Sequence, residues 1–298
     1  MAIDTVQAVR IAHHGGIDRL TLVDLPTPTA ARGELLIRAV ASSINPVDCK
    51  TRAWTGMGPE LPATLGWDLA GIVIDSAVPE FAVGDRVIAA SAQVATARGT
   101  WAEIVALPAD IVALAPRSVT LAEAATLPLA GLTAAQALAH LALPQGSRLF
   151  VIGAVGGVGA LLVQLALSAG LGVDGAVSRP EHLGPAKELG LGTVVTDLDE
   201  LGPVAYDAVF DSAGIDPGTA LRSGGTYLSI SDEPLPDLPG ARGMGVQEDG
   251  AGLARLAALV DSGSLRLRVG ERFPLRQIRE AHELFEAGGL VGKVVIEF

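Results

Sequence analysis

One segment constrains this chain more than any other: a strand-forming run that ends in a glycine turn and passes directly into an apolar helix pattern. Leu149-Phe-Val-Ile152 leads into Gly153-Ala-Val-Gly-Gly-Val-Gly159, and Ala160-Leu-Leu-Val-Gln-Leu-Ala-Leu-Ser-Ala169 follows. A glycine motif in isolation is weak, but strand, turn and helix in this order form the context of a dinucleotide site. Gly156 allows the backbone to approach a pyrophosphate, Gly159 allows the helix to pack tightly on the strand, and free N–H groups at the helix start face the anion. The first glycine of G-x-G-x-x-G is Ala154 here, a departure from the bare pattern. The competing structural reading is an ordinary glycine-containing strand-to-helix turn.

The 298 residues suffice for two domains, and 18% charged residues with 36 glycines suit a compact α/β protein. A net charge of −12 and the lack of any Lys/Arg cluster disfavour a nucleic-acid partner. No apolar stretch reaches the ~18–20 residues of a membrane span, because Leu127–Ala142 is broken by Pro128 and Gly131. The first residues carry neither a basic region nor a hydrophobic run, so a cytoplasmic protein is expected. A single cysteine, Cys49, excludes disulfides within the chain and reads as a small buried hydrophobe, with no histidine near it in sequence.

Residues 1 to about 120 read as β-rich, with short apolar strands at Ala8–Ile11, Leu20–Asp24, Leu35–Ser42, Gly71–Ile74, Arg86–Ala90 and Ala102–Ala106. From Leu121 helices and strands alternate, which predicts a doubly wound parallel sheet. The tail returns to strand at Arg266–Val269, passes a helix at Leu275–Glu286 and ends on a strand, Lys293–Phe298. The expected fold is therefore α/β, with a parallel-sheet nucleotide domain (121–263) inserted in a β-rich partial-barrel domain (1–120 plus 264–298). Glu233–Gly252, rich in Pro, Gly and Asp, is expected to be a mobile or substrate-covering loop.

The chain resembles the medium-chain dehydrogenase/reductase superfamily, specifically its zinc-independent quinone oxidoreductase branch. The carriers are Ser43-Ile-Asn-Pro-Val-Asp48, Leu65-Gly-Trp-Asp-Leu-Ala-Gly-Ile-Val73, Val83-Gly-Asp-Arg-Val-Ile88, Ala125-Thr-Leu-Pro-Leu-Ala-Gly-Leu-Thr-Ala134, the glycine turn and Gly292-Lys-Val-Val-Ile296, in that order. The resemblance implies a Rossmann domain inserted in a GroES-like domain, and Ala154 is usual in this branch. It also implies a homodimer, for which the strand around Gly225–Ile230 is a candidate edge. In the zinc-dependent branch a cysteine stands where this chain has Asn45, and a His-Glu pair where it has Trp67-Asp68. Tryptophan cannot ligate zinc and an amide is a poor ligand beside thiolate and imidazole, so no metal is expected. The five histidines do not supply a substitute: His13 and His14 are adjacent, and His140, His182 and His282 fall in different predicted helices.

For the cofactor, Asp174 stands about 20 residues beyond Gly153, where an NAD-binding carboxylate is sought. It falls in the middle of its strand, however, and the strand end is Ser178-Arg179, where NADPH-dependent members of the family place phosphate-binding residues. A guanidinium matches a phosphate well, so NADPH is expected, with NADH through Asp174 as the alternative. Asp197 stands where family members often add a Tyr or Lys. The expected cofactor contacts are Gly153, Ala154, Val155, Gly156, Gly157, Val158 and Gly159 in the turn, Ser178 and Arg179, and, by resemblance, Asn45, Thr133 and Lys293. Ser212, Ala213 and Gly214 after one strand and Ile230 and Ser231 after the next should line the same edge.

Without metal, hydride delivery suits acceptors whose conjugation spreads the developing charge, namely quinones and α,β-unsaturated carbonyls. By resemblance Asn45 lies beside nicotinamide and substrate, where its amide donates to a developing oxyanion. Asp48 belongs to the same loop, either in acid/base work or as a turn-capping carboxylate. Trp54, Trp67 and Trp101 are candidates to wall an aromatic acceptor pocket, although one or two of them can simply be core. Two further readings stay open: an enoyl-thioester reductase of a biosynthetic pathway, and a non-catalytic NADPH-binding sensor.

Overall fold

The computed structural model describes residues 4–53, 58–92, 96–201 and 205–298. Contacts divide the chain into two units: residues 1–129, 248–262 and 267–298 form the first, and residues 130–247 and 263–266 the second.

The first unit is built on mostly antiparallel strands, Val269–Pro274 against Lys293–Glu297 alone among its named pairings being parallel. A three-stranded sheet places β1 (Thr5–Ile11) between β2 (Thr21–Pro26) and β4 (Ala63–Thr64). A larger sheet runs β15 (Val269–Pro274), β16 (Lys293–Glu297), β3 (Glu34–Ser43), β5 (Asp68–Ser76), β6 (Arg86–Ala90) and β8 (Val112–Leu114), with β7 (Ile104–Pro108) also on β3. Alternating residues of these strands fill two cores. Leu35, Ile37, Leu69, Val73 and Val87 lie in one, and Val9, Leu65, Trp101, Val294 and Ile296 in the other. The period-two alternation that marks the strands in sequence is thus the alternation between a core face and its opposite. The helices of this unit are α1 (Pro46–Ala53), α2 (Leu121–Ala124), α6 (Gly250–Asp261) and α7 (Ile278–Ala287). Thr120 and Glu123 close a reciprocal capping box that starts α2.

The second unit is a parallel sheet in the order β11 (Val194–Val195), β10 (Gly172–Ala176), β9 (Arg148–Ile152), β12 (Tyr206–Asp211), β13 (Leu221–Ser229) and β14 (Arg242–Gly243). All five pairings are parallel. Numbered within the sheet the order is 3-2-1-4-5-6, the doubly wound arrangement whose strand order reverses between β9 and β12. Its helices are α4 (Gly157–Ser168) and α5 (Leu183–Glu188), together with most of α3 (Pro128–Leu141), which starts in the first unit. Phe150, Tyr206, Val209 and Tyr227 are packed together in its core.

Several elements depart from the sequence expectation. Helix α6, expected in the nucleotide domain, groups with the first unit. Its N-terminal Gly250 approaches the carbonyls of Asp110 and Val112 so closely that a Cβ would lie 2.4 and 2.7 Å from them. At its other end Asp261 accepts the backbone N–H groups of Arg117 and Ser118 at 2.7 and 2.8 Å. The tail strand expected at Arg266–Val269 begins at Val269 and runs to Pro274, where it pairs in parallel with β16. Helix α1 was not anticipated, because Pro46 at its first position reads as a loop signal although it is well tolerated there. The stretch Glu233–Gly252 is held rather than free. The Gln136 side chain donates to the Gln247 carbonyl (2.8 Å) and accepts its N–H (2.9 Å), and Arg242 donates to the His140 carbonyl at 2.9 Å. Within the same stretch, β14 pairs with Leu228 and Ser229, so the candidate dimer edge at Gly225–Ile230 is already covered at its C-terminal end.

Candidate functional site

In the first unit three adjacent strand ends converge. Strand β3 has β16 on one side (Val295 opposite Ser43) and β5 on the other (Ala41 opposite Ala70). The register therefore brings together Lys293 at the start of β16, Ser43 and Asn45 at the end of β3, and Asp68 at the start of β5. All are buried: Ser43 and Asp68 at 0%, Asn45 at 2% and Lys293 at 7% exposure.

Asp68 organises this centre. Its Oδ2 accepts Asn45 Nδ2 at 2.8 Å, Lys293 Nζ at 3.1 Å and the Ser43 hydroxyl, while Oδ1 accepts the backbone N–H of Leu129 at 2.7 Å. Leu129 lies in the first turn of α3, so the carboxylate also satisfies a helix N-terminal donor. Lys293 Nζ makes a second, short hydrogen bond to Asn45 Oδ1. The Asp68 backbone is fixed as well, its carbonyl accepting the hydroxyls of Ser42 (2.5 Å) and Thr100 (2.6 Å). Gly66 makes this approach possible: at φ +101° its Cβ would stand 2.4 Å from Trp101 Cδ1 and 2.7 Å from Thr100 Oγ1. Asp68 was absent from the expected site residues, since nothing in sequence joins it to a lysine 225 positions away. Lys293, expected at the cofactor, holds Asn45 and Asp68 with two of its three donors.

Asp48 sits one turn into α1 and its Oδ2 accepts the Asn45 backbone N–H at 2.8 Å, half of a capping box. Its other oxygen is buried without a partner. Burial pushes the carboxyl up to about 8, with the neighbouring Asp68 adding to the rise and Lys293 opposing it.

The tryptophans divide. Trp101 is fully buried, donates Nε1–H to the Ser42 hydroxyl at 3.0 Å and meets the edge of His282 with ring centroids 5.3 Å apart. It belongs to the core cluster that also holds Val9, Leu65 and Ile296. Trp67 is buried at 8% exposure beside Asp68 in sequence, and Trp54 lies outside the described residues.

Cys49 has a histidine neighbour that the sequence hid: its Sγ lies 3.5 Å from His282 Nδ1. Glu286 completes a group whose ligand-type atoms lie within 4.8 Å of one another. Arg52, itself buried, supplies a cation to that group through a 2.7 Å ion pair with Glu286. Burial raises the Cys49 thiol, and burial with the Arg52 charge lowers His282 to about 4, so cysteine and histidine are both neutral near pH 7.

In the second unit the glycine turn lies at the switch point. Gly153 adopts φ +83°, and a Cβ there would lie 2.2 Å from Ser212 Oγ. Ser212 in turn donates to the Ile152 carbonyl at 3.0 Å, so the turns after β9 and β12 are interlocked. Gly159 faces Gly153 so closely that a Cβ would stand 2.1 Å from its carbonyl oxygen. Gly156 is different: a Cβ would meet only the Gly153 carbonyl, at 3.3 Å, and otherwise project outward from the start of α4. Open space over a helix N-terminus is what a pyrophosphate requires, so the turn fits a dinucleotide. Ala154, the departure from the motif, turns inward, where Gly175 leaves room for its methyl group.

Asp174 is engaged within its own sheet. Its carboxylate accepts Arg148 at 2.7 Å, the Tyr206 hydroxyl at 2.9 Å and the Thr193 N–H at 2.5 Å, within β10. Ser178 and Arg179 follow β10 and are exposed. After β12, Asp211 accepts the N–H groups of Ala213 and Gly214 and the hydroxyls of Tyr227 (2.8 Å) and Ser229 (2.9 Å), which shapes the Ser212–Gly214 turn. Ile230 donates its N–H to the Asp211 carbonyl, and the Ser231 N–H binds Ser229 Oγ. Thr133 is buried within α3.

Fold and geometry together define a GroES-like unit and a Rossmann unit in one chain. Residues 31–117 match the family model "Alcohol dehydrogenase GroES-like domain", and residues 190–296 match "Zinc-binding dehydrogenase". An NADPH-dependent alkenal/one oxidoreductase of Arabidopsis thaliana chloroplasts is 31% identical, over 95% of this chain and 77% of that protein. The quinone oxidoreductase of Coxiella burnetii superposes with a TM-score of 0.91 at 30% identity, covering 99% of both chains. A mycobacterial protein solved in complex with NADPH gives 0.85 at 29% identity, over 98% of this chain and all of the other. The chain belongs to the medium-chain dehydrogenase/reductase superfamily, in its quinone oxidoreductase-like branch. No helix among the described residues is long and apolar enough to cross a membrane.

Proposed function

We propose that this protein is an NADPH-dependent reductase that transfers hydride to a quinone or an α,β-unsaturated carbonyl, working without zinc as a cytoplasmic homodimer. The carrying observation is the occupation of Asp174 by Arg148, Tyr206 and Thr193. It removes the carboxylate that an NADH site would use and leaves Ser178 and Arg179 at the strand end for a 2′-phosphate. The glycine turn and the α4 N-terminus receive the pyrophosphate, and the bound cofactor supplies the hydride.

The zinc-free reading rests on the donor set. Where zinc-dependent relatives carry Cys and His-Glu, this chain has Asn45, Trp67 and Asp68, and the Lys293 ammonium stands 3.1 Å from Asp68. A metal there would displace a cation already paired with the carboxylate, and only one good ligand type would face it. The residues do not fit zinc.

Asn45 then donates its amide N–H to the acceptor's oxygen as negative charge develops there. Asp48, protonated below about pH 8, holds a proton on the same loop. The similarity of the chain to quinone and alkenal/one oxidoreductases supports this substrate class.

The test is oxidation of NADPH and of NADH against a panel of quinones and enones, with and without a chelator. Chelator-insensitive turnover with NADPH strongly preferred is the expected result. Turnover that needs added zinc, or that runs equally well on NADH, overturns the corresponding part of the proposal.

A further inference from the structure

Asn45 is the only asparagine in the chain, and Lys293 is one of just three lysines among 21 basic residues. They meet in the buried centre together with Asp68, and the chemistry of the three groups permits only one arrangement. An ammonium can only donate and a carboxylate facing four donors can only accept, whereas a side-chain amide has one end of each kind. Lys293 Nζ therefore requires the carbonyl end of Asn45, and Asp68 Oδ2 requires the amino end, at 2.8 Å. The side chain cannot turn over without setting donor against donor on one side and acceptor against acceptor on the other. One Nδ2 hydrogen is left after these bonds.

We propose that Lys293 and Asp68 are positioning residues that fix the amide of Asn45 so that it presents an N–H, and thereby specify an acceptor that develops charge on oxygen. This deepens the reductase reading above and rests on it for the location of the acceptor. Lys293 does more than orient. A cation on Oδ1 draws electron density from the amide and strengthens its remaining N–H as a donor, in the way that chained hydrogen bonds polarise one another. An acceptor that develops no negative charge on oxygen gains nothing from this donor in the transition state, so the centre favours acceptors conjugated to a carbonyl. Three contacts hold the pair in place: Ser43 and the α3 N–H of Leu129 bind Asp68, and the register of β16 against β3 sets Lys293.

Two measurements test this. The first is independent of turnover. With asparagine as the only 15N-labelled residue, the protein gives a single side-chain NH2 pair by NMR. In the native protein its two hydrogens should differ in exchange rate, the one on Asp68 being protected. In Lys293→Met, and in the charge-balanced Lys293→Met/Asp68→Leu in case the single variant does not fold, the resonances should move and exchange should speed up by about tenfold or more. An unchanged pair in the folded variant overturns the proposal.

The second measurement is a double-mutant cycle with an enone acceptor. Lys293→Met should lower kcat by about 10- to 100-fold, with the NADPH dissociation constant within about threefold of native. Added to Asn45→Ala it should have little further effect, because Lys293 acts through Asn45. Multiplicative losses, or a loss of NADPH affinity with kcat preserved, overturn it. Failure of the native protein to reduce any enone or quinone counts against the reductase reading, and the NMR result still decides whether Lys293 pins the amide.

Discussion

Asp48 accepts the backbone N–H of Asn45 at 2.8 Å through one carboxyl oxygen, while its other oxygen is buried with no partner. The same side chain thus caps the loop that holds Asn45 and carries a proton near neutrality, because burial raises its carboxyl to about 8.

That proton makes stability depend on pH. Between the unfolded value of 3.8 and the folded value of about 8 the native state holds a proton that the unfolded chain has lost, so stability falls as pH rises through this window. His282 acts in the opposite sense between about 4 and 6.5: the unfolded chain gains a proton that the folded protein refuses, so stability rises with pH there. Each slope is about 1.4 kcal/mol per pH unit, so the two offset each other up to about pH 6.5 and leave a net fall from there to about 8. Urea unfolding of Asp48→Asn at a series of pH values should show that fall abolished and a rise from pH 4 to 6.5 exposed. An unaltered profile assigns the dependence to other groups.

Arg179→Ala should weaken NADPH binding by about 10- to 100-fold, the scale of a charge-assisted hydrogen bond to phosphate, and leave NADH unaffected. Titration of both cofactors by fluorescence or calorimetry reads the difference. Equal losses for the two would place the phosphate elsewhere.

Glycine substitutions in the turn should separate folding from binding. Gly159→Val forces a Cβ to within 2.1 Å of the Gly153 carbonyl and should destabilise the second unit by about 3 kcal/mol or more. Gly156→Val faces mostly open space, so it should fold with a native melting temperature and fail to retain NADPH. Intact cofactor binding in Gly156→Val would remove the turn from the site.

Asp174→Ala should cost stability rather than specificity. It leaves Arg148 and the Tyr206 hydroxyl without their shared partner, a loss of about 2–4 kcal/mol by chemical denaturation, with the NADPH-to-NADH preference unchanged. A shift of that preference would return Asp174 to the ribose.

Much of this was legible in the chain itself, for a physical reason that particular segments illustrate. Leu149–Gly159 states strand, turn and helix through local pattern, and β9, the turn and α4 follow it closely. The mid-strand place of Asp174 is likewise legible by counting back from Ser178-Arg179, and Asp174 lies within β10. The unit with which helix α6 groups is not legible in sequence, because an amphipathic stripe does not say which sheet it covers; its contacts with Arg117 and Ser118 lie in the first unit. Trp101 could not be sorted into core or pocket from its type alone.

The local code, with its period-two strands, glycine turns and proline at a helix start, determined the order and kind of elements and the dinucleotide turn. Contacts between residues far apart in sequence carry no such signature, because each depends on strand register. Only the pairing of β16 and β5 on either side of β3 brings Lys293, Asn45 and Asp68 within hydrogen-bonding distance, and only the packing of α7 against α1 gives Cys49 its histidine. Those groups take their chemistry from burial and from one another, and tertiary structure alone supplied both.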